Sequence, residues 1–214
     1  MTERPVNLHA HEVRAYLAGN LGLIVRPVKD SVDFLGAGGS AGPEWNDPNC
    51  WGWEDPENPC HFLVLGRNPT QSNETPIRSP FGQPGDKLWG RETWGIVSSV
   101  VAAVRVPIAN NYCAYRADNP NPKPLVWKPS THMPRWASRI TFETTSIAVK
   151  QVRDITEAEA MACGVERIEI SPREIDGIAV HPMTGTYVDA FHDWYQKQYG
   201  DAHWAWFASV KGAE

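Results

Sequence analysis

A chain of 214 residues, 42% hydrophobic and 21% charged, has ordinary globular composition and is long enough for one domain with its own core, or one domain carrying a large insertion. A net charge of −5 speaks against a protein that coats duplex DNA without regard to sequence. No run reaches the roughly 18 apolar residues of a membrane span, and the opening MTERPVNLHAHEVR has no apolar stretch of the secretory kind. The expected setting is therefore the cytoplasm, with Cys50, Cys60, Cys113 and Cys163 as thiols rather than disulfides.

Residues 5–9 read as a short strand. In AHEVRAYLAG (10–19) Val13, Tyr16 and Leu17 recur at helical spacing, and Gly19 is a stop. LGLIVRPV (21–28) is apolar and β-branched, a buried strand ending near Pro27. Residues 30–80 change character: two Gly-, Pro- and Asn-rich stretches flank one apolar run, HFLVLG (61–66), which predicts a long irregular insertion with a single embedded strand. DKLWGRETW (86–94) reads as a strand after the Pro84-Gly85-Asp86 turn. GIVSSVVAAVRVPI (95–108) fits helix or strand, with β-branching favouring strand, and NNYCAYRAD (110–118) is a further short strand.

SRITFETTSIAVKQV (138–152) alternates as a long strand. DITEAEAMACGV (154–165) carries a helix signature, with Thr156 as N-cap, Glu159 three residues later and Gly164 as the stop. YVDAFHDWYQKQYG (187–200) is another amphipathic helix, and HWAWFASV (203–210) a closing strand. No internal repeat is present. The sequence predicts an α+β chain: a small mixed β-barrel with flanking short helices and a long irregular insertion.

Charge is unevenly placed. Residues 76–153 hold eleven Lys and Arg against four Asp and Glu, a local +7 within a chain of net −5. Either this is a local anion site or it is a set of solvated strand edges. Aromatic and cationic residues cluster there: Trp89, Arg91 and Trp94; Trp127 and Lys128; His132, Arg135 and Trp136; with Arg116 and Arg139 nearby. A nucleotide offers a π-face and a phosphate, which proteins meet with an aromatic ring and an Arg or Lys. The plainer reading makes the tryptophans packing residues and pairs the arginines with Glu92, Asp118 and Glu143.

Glu143 is the candidate acid or base, on the polar side of its strand with Thr141 and Thr145; the alternative is a surface salt bridge. Cys50, Cys60 and His61 lack the close ligand pairs of a structural zinc site. No phosphate-binding glycine loop, nucleophile elbow or zinc-protease motif occurs. No metal or cofactor is expected.

Taken in order, YLAGNLGLIVRPVK, FGQPGDKLWGRETW, YRAD, WKPSTHMPRWASRITFETTSIAV, VRDITEAEAMACGV and WAWFASV resemble the phage and prophage branch of the ASCH domain family, a relative of the PUA RNA-binding fold. The resemblance implies one PUA-like domain over residues 1–214, with the insertion at about 30–80. It further implies a chain of phage or prophage origin working in the bacterial cytoplasm. The implied function is binding of RNA or a nucleotide-like ligand in a cleft beside the barrel, and Arg26 joins the candidate binding residues through the family motif. Some relatives deacetylate acetylated cytidine, and another cuts RNA, so a hydrolase using Glu143 is the alternative; a phage interaction protein without a ligand is a third. The family pattern Gly-x-Lys-x-x-Glu-x-Arg falls on Gly19, Leu21, Ile24 and Arg26. The glycine and arginine stand, but leucine and isoleucine supply neither nucleophile nor base, so deacetylation is not expected.

Overall fold

A computed structural model describes residues 3–28, 52–55, 57–58, 60–65, 74–97, 113–118, 124, 126–167, 169–170, 173–175, 178–180, 183–200 and 202–213. The chain begins with β1 (Glu3–Asn7), α1 (Ala10–Leu17) and β2 (Leu23–Pro27). It continues through β3 (Gly52–Glu54), β4 (His61–Leu65), β5 (Glu74–Arg78), β6 (Lys87–Arg91), β7 (Trp94–Ile96) and β8 (Cys113–Tyr115). The second half holds β9 (Thr141–Gln151), α2 (Glu157–Ala162), β10 (Glu169–Ile170), β11 (Arg173–Ile175), β12 (Ile178–Val180), β13 (Met183–Thr184), α3 (Tyr187–Tyr199) and β14 (Trp204–Gly212). None of the described helices is long and apolar enough to cross a membrane.

The architecture is α+β. Its centre is a five-stranded mixed sheet in the order β1-β6-β9-β14-β2, in which only the β1–β6 pair is parallel. The segments VRPV, KLWGRETW and SRITFETTSIAV thus contribute to one sheet, as their β-branched and aromatic content predicts. The sheet has two edges, β1 and β2, with no ladder between them, so the closed barrel expected from the sequence is not formed.

Both faces of the sheet are covered near β2 and β14, which explains why β2 reads as a continuous apolar run. Leu23, Val25, Ala205 and Phe207 face α2 and α3, where they pack with Ala160, Cys163, Phe191 and Tyr195. The alternate residues Ile24, Val28, Trp206 and Ala208 face the other core, with Leu88, Ile140, Phe142, Val149 and α1 residues Val13 and Ala15. By the period-2 rule this side of β2 also receives Arg26, whose cross-strand partner is Trp206.

The helix signals hold. Thr156 Oγ1 accepts from the Glu159 amide while Glu159 accepts from the Thr156 amide, so the predicted capping box forms. Gly164 follows α2 at φ +75°, and a Cβ there would collide with Ala15, so glycine serves both the left-handed turn and the close approach of α1.

Several expectations are corrected. Within 52–78 there is not one strand but a three-stranded antiparallel meander, β3-β4-β5; residues 29–51 lie outside the described set. DKLWGRETW is two strands in different sheets, not one. Glu92 and Thr93 carry the chain off the main sheet, so that Trp94 can pair with Tyr115 in β8 and bury with Met133 and Ala137. The ambiguous run at 98–108 lies outside the described residues. Residues 169–184, unassigned from the sequence, contribute two short ladders, β10 with β13 and β11 with β12.

Candidate functional site

The open seam between the edge strands is the candidate site. A cleft of about 760 Å³ is lined by Pro5 to Ala10, by Arg26 and Pro27 of β2, by Ile77, Arg78, Pro80 and Phe81, and by Arg91, Thr93, Ser130, Tyr199 and Trp206. Its volume is that of a small-molecule site. Three of these residues are arginines and none is an acid.

Arg26 sits on the seam because strand alternation turns it inward, where no hydrocarbon neighbour can satisfy it. Glu12 of α1, 1% exposed, does so. Arg26 Nη1 and Nη2 donate to Glu12 Oε1 and Oε2, each at 2.8 Å, in a two-pronged pair. Nη1 also donates to the Val25 carbonyl, and Nη2 to the Asn7 carbonyl at the end of β1. One guanidinium therefore ties the two sheet edges and the first helix together. Burial by itself would raise the Glu12 carboxyl, but the charge and hydrogen bonds of Arg26 outweigh it and hold the carboxyl below its ordinary value.

His9 closes this end of the cleft. Its amide donates to Glu12 Oε2 at 2.7 Å, and its Nε2 lies 2.8 Å from the Tyr199 hydroxyl. Burial lowers the His9 pKa, partly opposed by Glu12, and burial raises that of Tyr199. A neutral imidazole against a protonated phenol is the resulting pair, able to pass a proton or to hold a ligand hydroxyl. Arg91, in register with Asn7 on the neighbouring strand, donates Nη1 to the Thr131 carbonyl at 3.3 Å, and its Nε is buried with no hydrogen-bond partner among the described residues. Neither Arg78 nor Arg91 forms an ion pair with a described carboxylate.

Of the residues singled out from the sequence, Arg26 and Arg91 line this cleft and the others do not. His132 and Arg135 each belong to a short 3-10 turn, Ser130–His132 and Arg135–Ala137, before β9 begins, and both are exposed. Arg135 donates Nε to Glu3 Oε1 at 2.8 Å and Nη2 to Thr141 Oγ1 at 3.3 Å, is ion-paired with Glu3 and lies over the Trp89 ring. Trp136 is 46% exposed and stands edge-on to Trp94, itself 2% exposed and part of a small core. Lys128 lies over Trp94, and the preceding Trp127 is partly buried. Arg116 is exposed at the start of another 3-10 turn.

Two residues take the plainer role. Arg139 binds Glu92 and Asp118 with two hydrogen bonds each and stacks 4.0 Å from the Tyr115 ring. Glu143, on the side of β9 away from buried Phe142 and Thr144, pairs with Lys211 at 3.1 Å. Leu21 and Ile24 are buried in the core, so neither family-motif position presents a side chain to the cleft.

The sequence reading missed Glu12, His9, Arg78 and Tyr199. Glu12 looks like a helix-surface acid until α1 is docked across the seam, and Tyr199 lies 190 residues from His9. A signal was present in His9 and Glu12, spaced as an N-cap and its third residue, but nothing local names Arg26 as their partner. Compared with known proteins, the chain matches no family model, no curated protein and no solved structure.

Proposed function

We propose that the chain is a binding module for RNA or a nucleotide-like ligand, and that the ligand sits in the cleft between β1 and β2. The observation that carries this reading is the cleft's lining of Arg26, Arg78 and Arg91 without one acidic residue among the described lining residues. Arg26 is neutralised from behind by Glu12 and acts as scaffold, leaving Arg78 and Arg91 as the cations for phosphate. His9 and Tyr199 supply polar groups for a base or ribose, and the buried rings of Phe81 and Trp206 supply an apolar floor.

The ASCH-type, PUA-like identity belongs to the same proposal, together with a phage or prophage origin and a bacterial cytoplasmic setting. Its support is the sequence resemblance and the approach of the two sheet edges across Arg26, which leaves an incomplete barrel with its ligand at the gap.

Calorimetric titration with the four ribonucleoside 5′-monophosphates tests the reading. At least one should bind, and Arg78→Ala should weaken it while flattening its salt dependence. If none binds in low salt, the cleft is not a nucleotide site.

A further inference from the structure

We propose that single-stranded nucleic acid leaves the cleft across the outer face of β6, with a base on Trp89 and the flanking phosphates on Arg91 and Arg135. The inference rests on the reading of the cleft as a nucleotide site and adds the path of the strand beyond it.

Arg91 connects the two regions. It lines the cleft, and its guanidinium carbon lies 5.8 Å from the centre of the Trp89 ring. Trp89 and Arg91 are two apart on one strand, so both project from the face opposite buried Leu88 and Gly90. The guanidinium carbon of Arg135 is also 5.8 Å from that ring. Both cations stand near the outer limit of a cation–π contact, which leaves the half-buried ring unsealed. An aromatic ring flanked at 5.8 Å by two guanidiniums offers the stacking face and the cations that hold base and backbone of an unpaired strand without reading its sequence.

The face is electrostatically directional. Lys87 is in register between Glu3 and Glu143, so the start of β6 is balanced. The end of β6 is not: Asn7 is the cross-strand neighbour of Arg91, and beyond lie half-exposed Trp136 and Lys128, the latter 5.1 Å from the Trp94 ring. The acid that meets Arg135 is Glu3, and both side chains are nearly half exposed, so the pair contributes little and a phosphate can displace it. Positive charge beside half-buried Trp89 and half-exposed Trp136 fits a polyanion bearing bases better than an acidic peptide, which has no use for Trp89.

The test compares a ribonucleoside monophosphate with oligouridylates of increasing length, using the full chain. In the unmodified protein, affinity should rise with length. Trp89→Ala should remove about 5- to 150-fold of the oligomer's advantage over the monophosphate. Trp89→Phe should retain most of it, and Arg135→Gln should reduce the oligomer's salt slope by about one. Melting curves on the same samples separate binding loss from unfolding, and Trp89→Phe with Arg135→Gln keeps the test alive if Trp89→Ala does not fold. If the monophosphate binds but length adds nothing, the path is wrong and the cleft reading survives. If no monophosphate binds, the cleft reading fails first. If polyglutamate binds and is weakened equally by Trp89→Ala, the face belongs to an acidic peptide and the proposal is overturned.

Discussion

Arg26 and Glu12 meet across the gap between the two edges of the central sheet, joined by two hydrogen bonds of 2.8 Å, with the carboxylate 1% exposed. The same guanidinium bonds the Asn7 carbonyl on the opposite edge strand. The pair ties the two sheet edges to the first helix, and Arg26 lines the cleft between them.

Glu12→Ala should therefore cost about 3–5 kcal/mol, because it strands a largely buried guanidinium. The double variant Glu12→Met, Arg26→Met should recover much of this loss, since two apolar chains leave no orphan charge. Urea unfolding of the single and double variants gives the coupling. Additive losses would show that the two residues act independently.

Stability should fall with acid in two stages. Burial lowers the His11 pKa to about 4 from an ordinary value of 6.5. Between those values the unfolded chain binds more protons than the folded one, so stability present above pH 6.5 is lost progressively down to about pH 4. The loss from this group is at most about 3 kcal/mol. Glu12, whose folded pKa is depressed, adds its own loss only as pH drops below its ordinary 4.5. Denaturation midpoints across this range, for the unmodified chain and for His11→Gln, check the assignment: the substitution should shrink the upper stage to the part contributed by His9, whose pKa burial also lowers, and leave the lower one.

Arg139 should behave as a structural residue. It holds Glu92, 3% exposed in its side chain, and Asp118 at once. Burial raises the Glu92 pKa, with Arg139 opposing it, so Arg139→Ala should leave Glu92 to take up a proton in place. The expected cost is about 3–5 kcal/mol. Arg139→Lys should not restore it, because an ammonium cannot fork to two carboxylates and stack on Tyr115. Thermal melts of both variants decide this; a wild-type melt for the lysine variant would contradict it.

Glu143→Gln should change stability by less than about 1 kcal/mol, as expected for a partly exposed carboxylate paired with exposed Lys211. Nucleotide affinity in the cleft should be unchanged, since Glu143 is not among the lining residues. A large loss of any activity on a nucleoside or RNA substrate in this variant would return Glu143 to a catalytic role.

Local chemistry was legible wherever neighbours in sequence are also neighbours in space. Thr156, Glu159 and Gly164 mark α2 from the sequence alone because a capping box and a left-handed stop are completed within a few residues. Alternation along 141–144 likewise places Phe142 inside and Glu143 outside without knowledge of the partner strands, whereas the irregularity in the β9–β14 ladder that shifts the buried phase to Ile147 and Val149 is not written in it. Pairing across long separations was not legible. The sequence predicts a closed barrel, whereas the order β1-β6-β9-β14-β2 leaves the first two strands of the chain at opposite edges. It groups His132, Arg135 and Trp136 because they are adjacent in the chain, yet two 3-10 turns leave them outside the cleft lining. The cleft instead draws on His9, Arg26, Arg78, Arg91 and Tyr199. The reason is physical. Propensity, capping and alternation are set by the local backbone, whereas a buried charge pair such as Glu12 and Arg26 exists only once α1 is laid across the gap between two strands and water is excluded from both groups.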